Sequence, residues 1–323
     1  MPKTRLAVIG AGQFGKNHCR VIRESERAEL VAVVDIDRER AGKAAAAFGA
    51  PPFLDCREIV GRVDGAILAA PTSAHQEIGC ALLEDRIDVL VEKPIAPDLS
   101  AATRLVDAAE RFGRILQVGH LERFNPAVLE LERRATLPLF FEIHRMNQYS
   151  PRSLDVDVVL DLMIHDVDIV LSLTSAEPAE IRAAGISIRS PKVDIANVRL
   201  QFPNGCVANL TASRISTERV RKLRLFQPHQ YLSLDYDRQA LAIFSVTAHE
   251  EKEQIGFEQA AIQKMEPLKL QLEAFLDSVA TRKTPKCSGP AARRSLGAAL
   301  AILDKIEEHS EVVSQTVQAA WKP

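Results

Sequence analysis

Neither sign of charge predominates in this sequence: 41 Lys and Arg stand against 43 Asp and Glu, a net charge of −2. No overall field draws the chain to a polyanion, which argues against nucleic acid as a partner. No run of about twenty residues escapes charged side chains, so neither a transmembrane helix nor a membrane partner is expected. The apolar stretch at residues 6–10 is too short for a signal-peptide core and carries no cleavage site, so the expected location is the cytoplasm. The five cysteines, Cys19, Cys56, Cys80, Cys206 and Cys287, are scattered and contain no C-x-x-C pair. They signal neither a disulfide framework nor a zinc site and read as reduced structural thiols. Short repeats and long low-complexity segments are also missing; the alanines at 44–47 read as helix-favouring surface.

What is present is enough apolar material for two cores. The chain has 323 residues and is 46% hydrophobic, and at roughly 100–200 residues per domain that means about two domains. Strand-like runs at 6–9, 30–35, 65–70, 88–91 and 114–119 alternate with helix-like patterns at 13–25, 38–48, 73–84 and 100–112. That is the rhythm of a doubly wound parallel sheet. After Phe124-Asn125-Pro126 the strand-like runs at 139–149, 181–189, 197–202, 206–213, 222–227, 231–235 and 240–246 mostly follow one another without crossovers. Pro203-Asn204-Gly205 looks like a hairpin turn. These features predict an α+β domain on a large, mostly antiparallel open sheet, with its last sixty residues helical and broken at Pro267, Pro285 and Pro290. The expected division is 1–121 and 122–323. An open sheet exposes one apolar face, so a homodimer or homotetramer through the C-terminal sheet is expected.

Gly10-Ala11-Gly12-Gln13-Phe14-Gly15 follows an apolar strand and opens a helix, and Asp35 ends the next strand twenty positions after Gly15. In that register Gly10 makes the tight turn, Gly12 lets the backbone approach a pyrophosphate, and Gly15 permits close helix-on-strand packing. The first domain therefore reads as a Rossmann dinucleotide-binding unit. Asp35 suits the adenosine ribose and opposes a 2′-phosphate, which favours NAD over NADP, although Arg38 and Arg40 just beyond it could receive that phosphate.

Glu92-Lys93-Pro94 lies beyond the carboxyl end of the strand at 88–91, where ligands of open α/β sheets sit. Lys93 is either a proton-handling group beside the nicotinamide or a solvated turn residue. Asp157, Asp161, His165 and Asp168 are spaced by four, four and three along an otherwise apolar helix. On a regular helix they share one face, which is a catalytic stripe, a solvated surface or a metal site.

The motifs Gly10 to Gly15, Pro71-Thr72 with His75, and above all Glu92-Lys93-Pro94 resemble the Gfo/Idh/MocA oxidoreductase family, over essentially the whole chain. The resemblance implies that NAD is held by Gly10, Gly12, Gln13, Phe14, Gly15, Asp35, Arg38, Ala70, Pro71, Thr72, His75, Glu92 and Lys93. It also implies that Lys93 contacts substrate and the nicotinamide ribose, often through a cis Lys93-Pro94 bond. Asp161-x-x-x-His165 matches the family's D-x-x-x-H motif, in which the His is the acid/base and the Asp its helix neighbour. No metal is then required. Gly119-His120-Leu121-Glu122-Arg123-Phe124-Asn125-Pro126, together with residues 157–168, most resembles the nucleotide-sugar branch of the family. Within that branch the resemblance is greatest to bacterial enzymes that oxidise the 3-hydroxyl of UDP-N-acetylglucosamine to a 3-keto sugar for a partner aminotransferase in lipid A assembly.

That branch implies a cationic pocket for a diphosphate, for which Arg145, Arg152 and Arg214 are available; Arg219, Arg221, Lys222 and Arg224 read more simply as a solvated strand face. Tyr149 and Arg152 are the expected substrate contacts. Arg123 and Asn125 are either substrate contacts or a structural crossover anchored by Phe124. Two alternatives stand beside this reading: a dehydrogenase of a free polyol or aldose, and a non-catalytic NAD-binding regulator. The presence of Lys93, Asp161 and His165 together speaks against the regulator.

Overall fold

The computed structural model describes residues 2–149, 156–249 and 252–320. The chain forms two compact units, Met1–Phe124 with Glu266–Arg293, and Asn125–Met265 with Arg294–Pro323. In the first, strands β1 (Thr4–Ile9), β2 (Ala28–Val34), β3 (Pro52–Phe53), β4 (Gly65–Leu68), β5 (Asp88–Glu92) and β6 (Leu116–Gly119) pair in the order β3-β2-β1-β4-β5-β6. Every pairing is parallel. Leu6, Val8, Ile67, Leu68, Leu90 and Val91 are buried, as strands covered on both faces must be. Helices α1 (Gln13–Glu24), α2 (Arg38–Phe48), α3 (His75–Glu84) and α4 (Leu99–Phe112) make the crossovers. Asp37 and Asp98 cap α2 and α4 by accepting from first-turn amides. The strand order reverses between β1 and β4, so the crevice at their carboxyl ends is the topological switch point.

The second unit carries an eight-stranded sheet: β7 (Phe140–Gln148), β8 (Glu180–Ile186), β9 (Ile195–Gln201), β10 (Val207–Ser216), β11 (Val220–Gln227), β12 (Gln230–Asp235), β13 (Ala240–His249) and β14 (Lys252–Gln259). Their order is β14-β13-β12-β11-β7-β10-β9-β8, and only β7 with β10 is parallel. At the hairpin between β9 and β10, Gly205 has φ +85° and Asn204 Oδ1 accepts from the Cys206 amide at 3.1 Å. Phe141, Ile143, Leu223, Leu225, Leu232, Leu234, Leu241 and Ile243 turn inward onto α5 (Pro126–Arg134) and α6 (Ile164–Thr174). Burial of each such large side chain contributes about 1.5–3 kcal/mol. β14 answers to no strand-like run in the sequence: its apolar Ile255 and Phe257 face outward, and its pairing with β13 defines it.

Pro267 and Pro290 stand in the first turns of α7 (Pro267–Thr281) and α8 (Gly289–Ala320), so they open helices instead of breaking them. α7 belongs to the first unit. Leu268, Leu272, Phe275 and Leu276 join its core, Arg27 pairs with Glu273 and Asp277 at 2.7 Å each, and Lys269 pairs with Glu24 at 2.7 Å. A single cut after residue 121 therefore assigns this helix differently from the structure, because its partners lie some 250 positions back in sequence. No described helix is long and apolar enough to cross a membrane.

Candidate active site

At the carboxyl end of β1 the chain turns at Gly10, with φ +97°. A Cβ there would lie 2.5 Å from the Ala69 carbonyl oxygen, and one at Gly15 would lie 1.8 Å from the Gly10 carbonyl oxygen. Only glycine allows β1, α1 and the end of β4 to approach this closely. At Gly12 the situation is the reverse: a Cβ would meet nothing within 4 Å, and no side chain caps α1 there. The open space over an uncapped helix start is what a pyrophosphate needs, so these residues fit the diphosphate of NAD. Gln13 and Phe14 are exposed at the same edge.

Asp35 is buried at the end of β2. Its Oδ2 accepts from the Ala11 amide at 2.8 Å, and its Oδ1 accepts from the Asp37 amide at 2.9 Å and from Arg40 Nη2 at 3.1 Å. Burial alone would raise its pKa, but the Asp37 and Ala11 amides and the Arg40 guanidinium outweigh it and hold the carboxyl below its ordinary value. Arg40 is thereby engaged by Asp35, and Arg38 opens α2 as an exposed residue. Ile36, which the sequence reading passed over, is 90% exposed directly after Asp35.

Ala70, Pro71 and Thr72 follow β4 and are not buried. His75 differs. Its ring is 1% exposed, with Nδ1 3.0 Å from the Pro94 carbonyl and Nε2 2.9 Å from the Ala70 carbonyl, so it is turned into the fold. Burial lowers its pKa, against the opposing pull of the two carbonyls and of Glu92. Lys93 directly follows β5 and is partly buried, and the Lys93-Pro94 bond is cis, as the resemblance implies. His18, also passed over because the fingerprint reading stops at Gly15, lies on the inner side of α1 with Nε2 2.6 Å from Glu92 Oε1.

In the second unit the stripe of four polar residues divides. Between Val158 and Leu171 every residue is buried except Leu160, Asp161 and His165. Asp161 and His165 are thus two of the three residues of this stretch that are not buried. Val159–Met163 is a π turn, with the Ile164 amide bonded to the Val159 carbonyl, and this wider turn breaks the regular spacing assumed from the sequence. Asp168 is buried, accepting from Ser295 Oγ of α8 at 2.7 Å. Asp157 stands at the helix entrance and accepts from the Val193 amide at 2.9 Å. Among the described residues, no group of three or more His, Cys, Asp or Glu is arranged to hold a metal.

Two arginines expected to serve a diphosphate are instead part of the fold. Arg145 is 2% exposed and grips Asp166 through Nε at 2.7 Å and Nη2 at 2.8 Å, its guanidinium lying 4.7 Å over the Tyr236 ring, whose hydroxyl donates to Asp166 at 3.1 Å. Arg214 is 5% exposed, with Nε on Asp194 at 2.9 Å and Nη1 on the Val156 carbonyl at 2.7 Å. Unpaired guanidinium is too costly to bury, so each carries its own carboxylate. Arg219 pairs with Asp237 and Arg224 with Glu142, as charges on a strand face do. Asn125 is buried as the cap of α5, accepting from the Ala127 amide and donating to the Tyr236 carbonyl, and Arg123 is buried beside it. The bonds of Asn125 are those of a helix cap at the crossover. Tyr149 is exposed beneath the Arg189 guanidinium, 4.5 Å from its ring. Arg152 lies outside the described residues.

Residues 4–120 match the family described as "Oxidoreductase family, NAD-binding Rossmann fold", and residues 109–227 match the GFO/IDH/MocA C-terminal domain. The chain is 34% identical over 306 residues to UDP-N-acetylglucosamine 3-dehydrogenase of Acidithiobacillus ferrooxidans, covering 94% of this chain and 97% of that protein. A solved structure of that enzyme superposes with a TM-score of 0.90 at 33% identity, over 96% of this chain and 99% of the other. Inositol 2-dehydrogenase 4 of Saccharopolyspora erythraea is 33% identical over 199 residues, 58% of this chain and 57% of that one.

Proposed function

The chain belongs to the GFO/IDH/MocA oxidoreductase family, with the family's NAD-binding Rossmann fold at residues 4–120, and we propose that it oxidises the 3-hydroxyl of UDP-N-acetylglucosamine to the 3-keto sugar. One observation carries the choice: similarity to a dehydrogenase of that substrate runs through 94% of the chain, whereas the inositol 2-dehydrogenase match covers 58%. NAD, when bound, supplies the hydride acceptor. Gly10, Gly12 and Gly15 cradle its diphosphate and Asp35 takes the adenosine ribose. His165 removes the hydroxyl proton, Asp161 stands four residues before it, and Lys93 donates to the reacting oxygen. Tyr149 and Arg152 contact the sugar nucleotide. A 3-keto product is a natural substrate for an aminotransferase, which we take to be the next reaction. We place this work in the cytoplasm, in keeping with five free cysteines.

The outer face of the second sheet supports self-association. Phe140, Phe226, Tyr231, Phe244 and Phe257 stand in cross-strand register and form a row of rings 4.8–5.8 Å apart across β7, β11, β12, β13 and β14. A second copy of the chain is the proposed cover.

Purified protein mixed with NAD and a panel of UDP-sugars, free sugars and inositols tests the assignment, following nicotinamide absorbance and product mass. If oxidation is uphill, an aminotransferase with its amino donor draws off the ketone. Turnover confined to the UDP-sugar is expected. Turnover of inositols or free sugars alone would replace it with the polyol reading, and NAD binding without any turnover would favour a regulator. In the same assay His165→Ala should lose about 10²–10⁴ in turnover while calorimetry shows unchanged NAD affinity; near-normal turnover would remove His165 from the mechanism.

A further inference from the structure

Glu92-Lys93-Pro94 is gripped by two buried histidines, one on each side of Lys93. On the upstream side the Glu92 carboxylate points inward, its Oε1 2.6 Å from Nε2 of His18, which is 1% exposed. His18 Nδ1 is buried with no hydrogen-bond partner among the described residues, so the ring proton is assigned to Nε2, where it donates to Glu92. The same carboxylate occupies the space over Gly119, its register partner on β6: a Cβ at Gly119 would come within 2.7 Å of Glu92 Oε2. On the downstream side, His75 Nδ1 lies 3.0 Å from the Pro94 carbonyl and Nε2 2.9 Å from the Ala70 carbonyl; the neutral ring has one N–H for two acceptors, and it is assigned to Nδ1, where it donates to Pro94.

We propose that His18 and His75 are positioning residues for Lys93: acting from α1 and α3, they fix the residues on either side of it and so aim its side chain. The proposal rests on the reading of Lys93 as a group that acts on the substrate hydroxyl. A lysine stem is flexible, but the direction in which it leaves the backbone is set by its two peptide neighbours. A displacement of about 1 Å at a reacting group costs about a hundredfold in rate. Neither histidine is required to touch substrate or cofactor.

Side-chain geometry separates the contacts. The amide nitrogen of asparagine stands near the place of a histidine Nδ1, and that of glutamine near Nε2. His75→Asn therefore keeps a donor for the Pro94 carbonyl and His75→Gln loses it, while His18→Gln keeps a donor for Glu92 and His18→Leu does not.

The test uses full-length protein with its lysines reductively ¹³C-methylated, the Lys93 resonance being identified by its absence in Lys93→Arg. Spectra of the free protein are compared with kcat, KM and NAD affinity. His18→Leu and His75→Gln should shift the Lys93 resonance and lower kcat by about tenfold to a hundredfold, with KM and NAD affinity little changed. His18→Gln and His75→Asn should recover most of both signals. Should His18→Leu fail to fold, as thermal melting reports, Gly119→Ala takes its place, because it displaces the Glu92 carboxylate from the β6 side. An unmoved Lys93 resonance in the folded variants overturns the proposal, as does an equal loss in both members of each pair. If Lys93→Arg itself retains full kcat, the acid-base role of Lys93 fails, and the resonance still decides whether the histidines position it.

Discussion

At Asp35 one carboxylate accepts from two backbone amides, of Ala11 and Asp37, and from the Arg40 guanidinium. Removing it in Asp35→Ala loosens the glycine turn and releases a guanidinium at the place where a 2′-phosphate would lie. Hydrogen bonds to a charged group contribute about 1.5–3 kcal/mol, so kcat/KM with NAD should fall about tenfold or more while the preference moves toward NADP; an unchanged NAD/NADP ratio in steady-state kinetics contradicts this role. His75 yields a prediction in pH. Its folded pKa lies below the ordinary 6.5 because burial disfavours the imidazolium, even with Glu92 nearby. The unfolded chain thus takes up the proton first as pH falls. Stability from this site is complete above about 6.5 and declines below it until the folded ring also protonates, at no more than about 1.4 kcal/mol per pH unit. Urea unfolding between pH 7 and 5 should show a steeper loss for the wild type than for His75→Asn, and parallel curves would exclude the contribution.

Among the elements, α6 with its preceding π turn shows how buried charge holds the helix that carries the proposed acid/base. Asp161 and His165 are not buried, while the buried Asp166 is locked to Arg145 of β7 and Tyr236. Arg145→Ala leaves Asp166 buried without its cation and should cost about 3–5 kcal/mol in urea unfolding. Tyr236→Phe removes the hydroxyl that donates to Asp166, and loss of that bond should cost about 0.5–1.5 kcal/mol. If Arg145→Ala unfolds like the wild type and loses affinity for the nucleotide sugar instead, the arginine serves substrate after all. The four-residue spacing of Asp161 and His165 is legible in the sequence, and the π turn that interrupts it is not. The part played by Asp166 was not legible either, because its partner is 21 positions upstream on a strand. That Arg145 and Arg214, which the sequence offers as cations for a diphosphate, are engaged by Asp166 and Asp194 was hidden for the same reason: a sequence shows how many cations a segment has, not which carboxylates already neutralise them.

For the molecule as a whole, the aromatic row on the outer sheet face is the surface proposed above for self-association. Stacked and edge-on pairs contribute about 0.5–1.5 kcal/mol each beyond burial, so a charge within the row should separate the copies. Light scattering at micromolar concentration should report a dimer or tetramer for the wild type and a smaller species for Phe244→Asp. A monomeric wild type would refute the interface.

The sequence alone determined the parallel sheet's alternation of strand and helix and the glycine turn with Asp35 in register. Each of these is written in residues close together along the chain, where periodicity and steric need act directly. Tertiary structure decided the rest: that α7 completes the first core, that β14 is a strand at all, that Arg145, Arg214 and Asn125 belong to the fold, and that His18 and His75 close on either side of Lys93. Those outcomes depend on which distant groups meet after desolvation, and a buried charge or ring nitrogen finds its partner only once the chain has closed around it.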